Sequence, residues 1–491
     1  MPTVDHHKTE QAQRMGATDR SDHSPRRGMA LCAVAIFAGL LSSGCRTYTQ
    51  QNTTAYVWQS GRFDAAALEY GHKAEKERNG KDALIWRLEQ GAALRASGQI
   101  RESIAAFDQA EQKINAYEES ARVKVGNEAG AIMSNQANLP YEGRAYDKVM
   151  VNLYKALNYL QLGDYEKARV EFFRAYQRQR DAVELNRKRI AQTQEELSQK
   201  GQQERELTER ARTDPGFGST LTSTYAPLEN LQAYSDYVNP AAVYLDGLFF
   251  LCQSTSGSDL ERASKSFDRV RSMVGDTRFI RQDLDLMARV INGAPIPPTT
   301  YVFYETGLAP VRQQVRIDIP ILFARVSYVG AAFPTIEFLP NTAPGLQVVG
   351  TGVSEASELL CSMDSVIGRE FKNELPGVVT KTIFATVAKA AAAYGLNAAA
   401  DRQDAMLGLL SRLVTAGYQM AVNIADCRTW TTLPKEFQVC RFPTPADRRL
   451  QVTTTGGQRV DVTLEPGTVN VVWVRGVNAG VPLSVSQIKL K

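Results

Sequence analysis

The chain has 491 residues, with 57 Lys and Arg against 53 Asp and Glu and a formal net charge of +4. That near balance excludes the basic excess of a nucleic-acid-binding protein, while the length suffices for two or three domains. Of four histidines, three (His6, His7 and His23) lie in the first 23 residues, so a His-rich metal site is excluded and triad-type catalysis would rest on His72 alone. His72 sits in the charged run "GHKAEKE" and reads as a solvated surface residue.

The first element is an apolar, uncharged run from Met29 to Leu41, preceded by Arg26 and Arg27. It is shorter than the roughly 20 residues that a helix needs to cross a bilayer. A basic start, a short apolar core and a small-residue end describe a signal peptide. The run closes Leu41-Ser42-Ser43-Gly44-Cys45, which resembles the lipobox of bacterial lipoproteins, except that the usual aliphatic position is Ser42. The resemblance implies that residues 1–44 are a leader, that Cys45 carries the lipid and that 45–54 form a tether. Arg46, not Asp, follows the cysteine, which in that family implies the outer membrane, with the protein body facing the periplasm. Several acyl chains, at about 0.8 kcal/mol per buried CH₂, anchor firmly.

Residues 55–292 are expected to be helical. A degenerate pattern, Gly-x-aromatic-x₂-Ala-x₃-aromatic-x₂-Ala, recurs there. Its best copy has Gly163, Tyr165, Ala168, Phe172 and Ala175; others have Gly98, Ile100, Ser103, Phe107 and Ala110, then Gly61, Phe63, Ala66 and Tyr70, then Leu260, Ala263, Phe267 and Val270. The glycine permits a tight turn between helices, the alanine permits close approach, and the aromatic four residues on fills the groove of the same face. This resembles the second helix of tetratricopeptide (TPR) repeats, although the copies are spaced irregularly where a regular array keeps about 34 residues. Within this region, 176–212 is charged and sparse in large apolar residues, namely Val183, Leu185, Ile190, Leu197 and Leu207. A helix polar nearly all round is not core, so this stretch is expected to project as an arm that either touches a partner or stands as a solvated helix.

"GAPIPP" marks a linker at 293–299, since Pro and Gly punctuate structure. Beyond it, 300–491 is expected to be a β-rich, sandwich-like domain with a helical insertion at 354–424. "TTYVFYETG", "VRIDIPILF", "LQVVG", "LQVTTTG", "QRVDVTLEP", "TVNVVWVRG" and "LSVSQIKL" read as strands, being β-branched and aromatic runs of strand length. Gly456-Gly457 is a hairpin turn candidate. The fold class is thus α+β: a TPR-like helical hairpin array followed by a β-sandwich-like domain. Four cysteines follow Cys45, and none forms a CxxC pair, so no zinc knuckle is expected. Cys427 and Cys440 are close enough in sequence to pair after export; Cys252 in "LFFLCQ" reads as a buried apolar residue.

Several stretches, among them "LPYEGRAYDKVMVNLYKALNYLQLGDYEKARVEF", "VNPAAVYLDGLFFL", "YVFYETGLAPVRQQVRIDIPI" and "ADCRTWTTLPKEFQV", are similar to a family of TPR-containing bacterial lipoproteins. The resemblance implies an envelope lipoprotein, and the frequent gene neighbourhood with activators of peptidoglycan synthases implies cell-wall work. No cofactor is expected. "FYETGLAPVR" offers Glu305 and Arg312, and "ADCRTWTTLP" offers Asp426, Arg428 and Trp430, as interaction or structural residues. Paired carboxylates can act as general acid and base in glycan cleavage, but an Asp/Arg/Trp group more often locks a loop. The reading that follows is a non-enzymatic, lipid-tethered scaffold that binds a protein or peptide partner. Its alternatives are a peptidoglycan-acting enzyme using Asp426 or Glu305, and a subunit of a secretion or surface-polymer machine.

Overall fold

The computed structural model describes residues 54–123, 137, 139–198, 202–232, 234–323, 326–401 and 425–491. Cys45, the leader and residues 402–424 of the expected helical insertion lie outside them. Helices come first: α1 (Phe63–Lys76), α2 (Ala83–Ala96), α3 (Ile100–Val123), α4 (Ala145–Gln161), α5 (Tyr165–Ser198), α6 (Gln202–Thr213), α7 (Pro215–Tyr225), α8 (Pro240–Cys252), α9 (Gly257–Val274) and α10 (Arg278–Ile291). Strands follow as β1 (Thr299–Thr306), β2 (Val311–Phe323), β3 (Val326–Glu337), β4 (Leu346–Gly350), β5 (Val353–Ala356) and β6 (Glu358–Ser362). After helix α11 (Met363–Asp401) come β7 (Glu436–Pro443), β8 (Arg449–Thr454), β9 (Arg459–Thr463), β10 (Val469–Gly476) and β11 (Ser484–Lys489). Among the described residues no helix is long and apolar enough to cross a membrane.

The recurring glycines set the helix turns. Gly98 ends α2 with φ +79° and Gly163 ends α4 with φ +74°. At each, the residue after the glycine donates its N–H back five residues, Gln99 to the Leu94 carbonyl and Asp164 to the Tyr159 carbonyl, both at 2.9 Å. This pattern satisfies carbonyls that a helix end leaves orphaned. An added Cβ at Gly163 would meet no atom within 4 Å, so its requirement is purely conformational. Replacing Gly163 by Ala is expected to cost about 1 kcal/mol through the left-handed backbone alone, read as a lowered denaturation midpoint; an unchanged midpoint would contradict this account.

The aromatic and small residues of the pattern face inward. Ala66, Tyr70, Ser103, Phe107, Ala110, Ala168, Phe172, Ala263, Phe267 and Val270 are all buried in the helical core. Gly91 brings α2 against α3, for a Cβ there would lie 2.5 Å from the Phe107 ring. A polar cluster lies among the same helices. Lys155 on α4 is buried between Asp108 (2.8 Å) and Glu111 (2.7 Å) of α3 and Glu171 (2.9 Å) of α5. Burial works against its charge, but the three carboxylates outweigh burial and raise its pKa.

Strand order explains why β1 and β10 are buried at every residue. They lie inside a five-stranded sheet, β11-β10-β1-β7-β6, with β1 parallel to β10 and antiparallel to β7. One face of β1, Tyr301 and Phe303, joins the helical core with Val471, Trp473, Phe437 and Val439. The opposite face, Val302 and Tyr304, packs with Cys440, Val472 and Val474 against Leu346, Val348, Leu450, Val452 and Val462 of the four-stranded sheet β5-β4-β8-β9. A strand covered on both faces loses the alternation of a half-exposed one. The β8–β9 hairpin turns at Gly457, φ +84°, as its Gly-Gly pair predicts.

Three expectations change here. The spacing from 354 predicts helix, but β5 and β6 occupy 353–362 and helix begins at Met363. A register shift against β7 between Leu359 and Cys361 buries the consecutive residues Leu360 and Cys361, and this irregular burial imitates helical spacing. The charged 176–212 segment does not stand alone either: it divides into α5 and α6, and Ala211 of α6 packs with Phe217, Ile317, Ile319, Phe333, Ile383 and Val387 from α7, the β2–β3 hairpin and α11. Small inward residues let an otherwise polar helix lie close to that hairpin. Last, no disulfide joins Cys427 to Cys440 among the described residues. Cys440 points into the layer between the two larger sheets, where burial pushes its thiol up to about 12.

Candidate functional site

The strap at 425–435 carries three of the five candidate residues and ties the strand-rich half to the helices. Arg428 donates from Nε and Nη2 to both oxygens of Asp426 (2.7 and 3.0 Å), and from Nη1 to Asp82 beside α2 (3.0 Å) and to the Leu139 carbonyl (2.8 Å). Arg144, at the start of α4, lies 3.8 Å from Asp426 and donates to Glu374 of α11 at 3.1 Å. Arg312 of β2 donates to the same Glu374 oxygen at 3.0 Å. Three carboxylates and three guanidiniums thus alternate through the interior, with Arg312, Asp82 and Arg428 all buried. Burial pushes the Asp426 carboxyl up, but the charge and hydrogen bonds of Arg428 outweigh it and hold Asp426 below the usual carboxylate range.

Trp430 is fully buried, its indole N–H donating to Thr432 Oγ1 at 2.7 Å and its ring 5.9 Å from Phe107 and 6.0 Å from Tyr154. The next residues of the strap dock on Glu89 of α2. The Thr431 amide (2.7 Å), Thr431 hydroxyl (2.8 Å) and Thr432 amide (3.0 Å) all donate to its carboxylate. Burial dominates those hydrogen bonds and raises the Glu89 pKa to about 7. Asp426, Arg428 and Trp430 are therefore fasteners between halves of the molecule, and both oxygens of Asp426 are taken up by guanidinium groups.

Glu305 stands apart from Arg312. At the end of β1 it faces a cavity of about 20 Å³ whose walls include Trp58, Arg95, Tyr154, Trp473 and Arg475. Arg475 Nη1 donates to the carbonyls of Glu305 (3.2 Å) and Gly476 (3.0 Å), while its Nε lies 3.7 Å from Glu305 Oε2. Arg95 Nη1 donates to Asn158 at 2.9 Å, and its guanidinium lies over the rings of Tyr154 (5.6 Å) and Trp473 (5.4 Å). Burial pushes the Glu305 carboxyl up and Arg475 and Arg95 pull it down, with burial prevailing. Sequence reasoning passed over Arg95, Arg475, Trp58 and Trp473, because nothing local distinguishes an inward arginine on an amphipathic helix from an outward one. Among the described residues no group of three or more His, Cys, Asp or Glu side chains is placed to hold a metal ion.

A different surface is built by α5. Its buried face carries Ala168, Phe172, Ala175, Gln179 and Ala182. Beside that face run Tyr176, Val183 and Ile190, 39%, 40% and 41% exposed, each seven residues after the last. Arg180 and Arg187, also exposed, sit four residues after Tyr176 and Val183. Residues seven apart on a helix lie on one line, so α5 presents an apolar seam edged by positive charge.

No protein-family description, no curated protein and no solved structure matches this chain.

Proposed function

We propose that this chain is a lipid-anchored scaffold of the bacterial envelope, belonging with the TPR-containing lipoproteins and tethered through Cys45 to the periplasmic face of the outer membrane. Its helices form a degenerate TPR-like array, its strands a β-sandwich-like domain, and its task is to hold a protein partner, in keeping with cell-wall assembly. The observation that carries the binding role is the seam Tyr176, Val183 and Ile190 on α5, three large apolar side chains in heptad register left about two-fifths exposed. An amphipathic helix covers such a seam by packing between its residues, and Arg180 and Arg187 favour acidic residues along that helix's edge.

The test is photocrosslinking from position 183 in intact cells, with the crosslinked peptides identified, alongside the Val183→Asp/Ile190→Asp variant. A crosslink to an acidic amphipathic helix of an envelope protein is expected, with roughly tenfold lower recovery in the variant, the loss of two anchor residues being worth at least about 1.4 kcal/mol. Both substituted side chains lie partly in solvent, so the variant should melt with the parent. Crosslinks to a segment without that pattern, to a second copy of this chain, or at background level would reject the seam as the docking surface.

A further inference from the structure

We propose that the cavity between Arg95, Arg475, Trp58 and Trp473 is a binding site for one small monovalent anion. Two N–H donors that line it, Arg95 Nη2 and Trp58 Nε1, have no hydrogen-bonded protein partner among the described residues, while Arg475 Nε lies 3.7 Å from Glu305 Oε2 and the Trp473 indole acts on the Glu305 carboxyl. All five side chains are more than nine-tenths buried.

Charge points the same way as donor count. Two guanidiniums share one carboxylate, Glu305, and among the described residues it is the carboxylate that acts on each of them. The lining is thus left with one uncompensated positive charge away from water. A buried charge without a partner costs several kcal/mol, and a single negative charge opposite Glu305 removes that imbalance while accepting from the Arg95 Nη2 and Trp58 Nε1 donors. Size limits the ligand. About 20 Å³ exceeds the roughly 10–15 Å³ that one water requires and falls well short of a phosphate or a sugar. A halide ion fits as it stands; a carboxylate group enters with one oxygen in the cavity and its carbon towards the mouth. Half-buried Ser484 and Ser486 also line the cavity, and Ser486 lines the wider groove, about 530 Å³, between the α4–α5 turn and β11. Aromatic faces complete the walls: Arg475 lies 5.4 Å from the Trp58 ring, and cation–ring stacking holds the guanidiniums in place.

The test is thermal unfolding of the purified chain at constant ionic strength, with gluconate replaced stepwise by bromide or by formate. A melting temperature that rises and saturates with bromide is expected, and the rise should vanish in Arg95→Met. Glu305→Gln removes the like charge facing the ligand, so the bromide midpoint should tighten roughly tenfold. Saturation with formate but not bromide would still place an anion there and identify a carboxylate as its source. No response to either, or an equal response in Arg95→Met, would overturn the proposal. Should either variant fail to fold, the anomalous signal of bromide in crystals of the parent decides: a peak between Arg95 and Arg475 upholds the site, and its absence rejects it.

Discussion

Arg428→Met is expected to destabilise the protein by about 3–5 kcal/mol, among the largest effects of any single substitution in the strap. The magnitude follows from what would be left behind. The Arg428 guanidinium donates to both oxygens of Asp426, to Asp82 and to the Leu139 carbonyl. Methionine fills similar volume but leaves the buried Asp82 and the half-buried Asp426 short of their main cation, and removing one member of a buried pair costs more than replacing the whole pair. Asp426→Asn provides the contrast. It keeps Arg428 on Asp82 and on Leu139, and Arg144 on Glu374, so its cost should be nearer 1–3 kcal/mol, the scale of one weakened buried polar contact. Denaturant unfolding followed by tryptophan fluorescence reads both, since Trp430 lies two residues from Arg428. Equal midpoints for parent and Arg428→Met would mean that the strap is not held by this network. Loss of cellular function by Asp426→Asn with an unmoved midpoint would instead revive a chemical role for that carboxylate.

What was legible in the sequence was local. A glycine needing positive φ announces itself by its place before a helical run, as Gly98 and Gly163 do. Strands covered on both faces, β1 and β10, announce themselves by β-branched and aromatic runs of strand length, Tyr301-Val302-Phe303-Tyr304 and Val471-Val472-Trp473-Val474. The α+β class follows from those two signals. What was not legible depends on partners far away in the chain. Glu89 and Thr431 are 342 residues apart, and Glu305 meets Arg475 from a distance of 170. Neither spacing leaves a periodic trace. Lys155 has the same character: on α4 it reads as a solvent-facing position, and it is buried because α3 and α5 bring three carboxylates to it. The strap is an intermediate case. Asp426, Arg428 and Trp430 were visible as a cluster with locking chemistry, while the helical residues they lock onto were not. The strand pair at 353–362 carries a misleading signal for a physical reason too, because a bulge that buries neighbours in sequence mimics the three-four spacing of a helix.

The second large effect concerns pH. Stability is expected to fall by about 2 kcal/mol between pH 5.5 and pH 8.0 through Glu89 alone. Its carboxyl lies at about 7 in the folded protein against a model value of 4.5, so over the interval between those values the folded chain holds a proton that the unfolded chain has released. The stabilisation this confers is fully present below the unfolded value and is lost as pH rises through the folded one. Glu370 works in the same direction: burial first, then the neighbouring Glu374, raises it to about 7, although it accepts the Ala145 and Tyr146 amides at the start of α4. The protein should therefore gain stability on mild acidification, opposite to a protein held by depressed carboxylates. Glu89→Gln separates this cause from general charge effects. The amide carries no titrating proton, so the difference between midpoints at pH 5.5 and 8.0 should shrink by about the Glu89 share. The variant should also be weaker than the parent at pH 5.5, because an NH₂ group cannot accept from both Thr431 and Thr432 amides as the two carboxyl oxygens do. A Glu89→Gln variant that kept the parent's full pH slope would show that the α2 carboxyl is ionised across this range, with the three strap donors outweighing its burial.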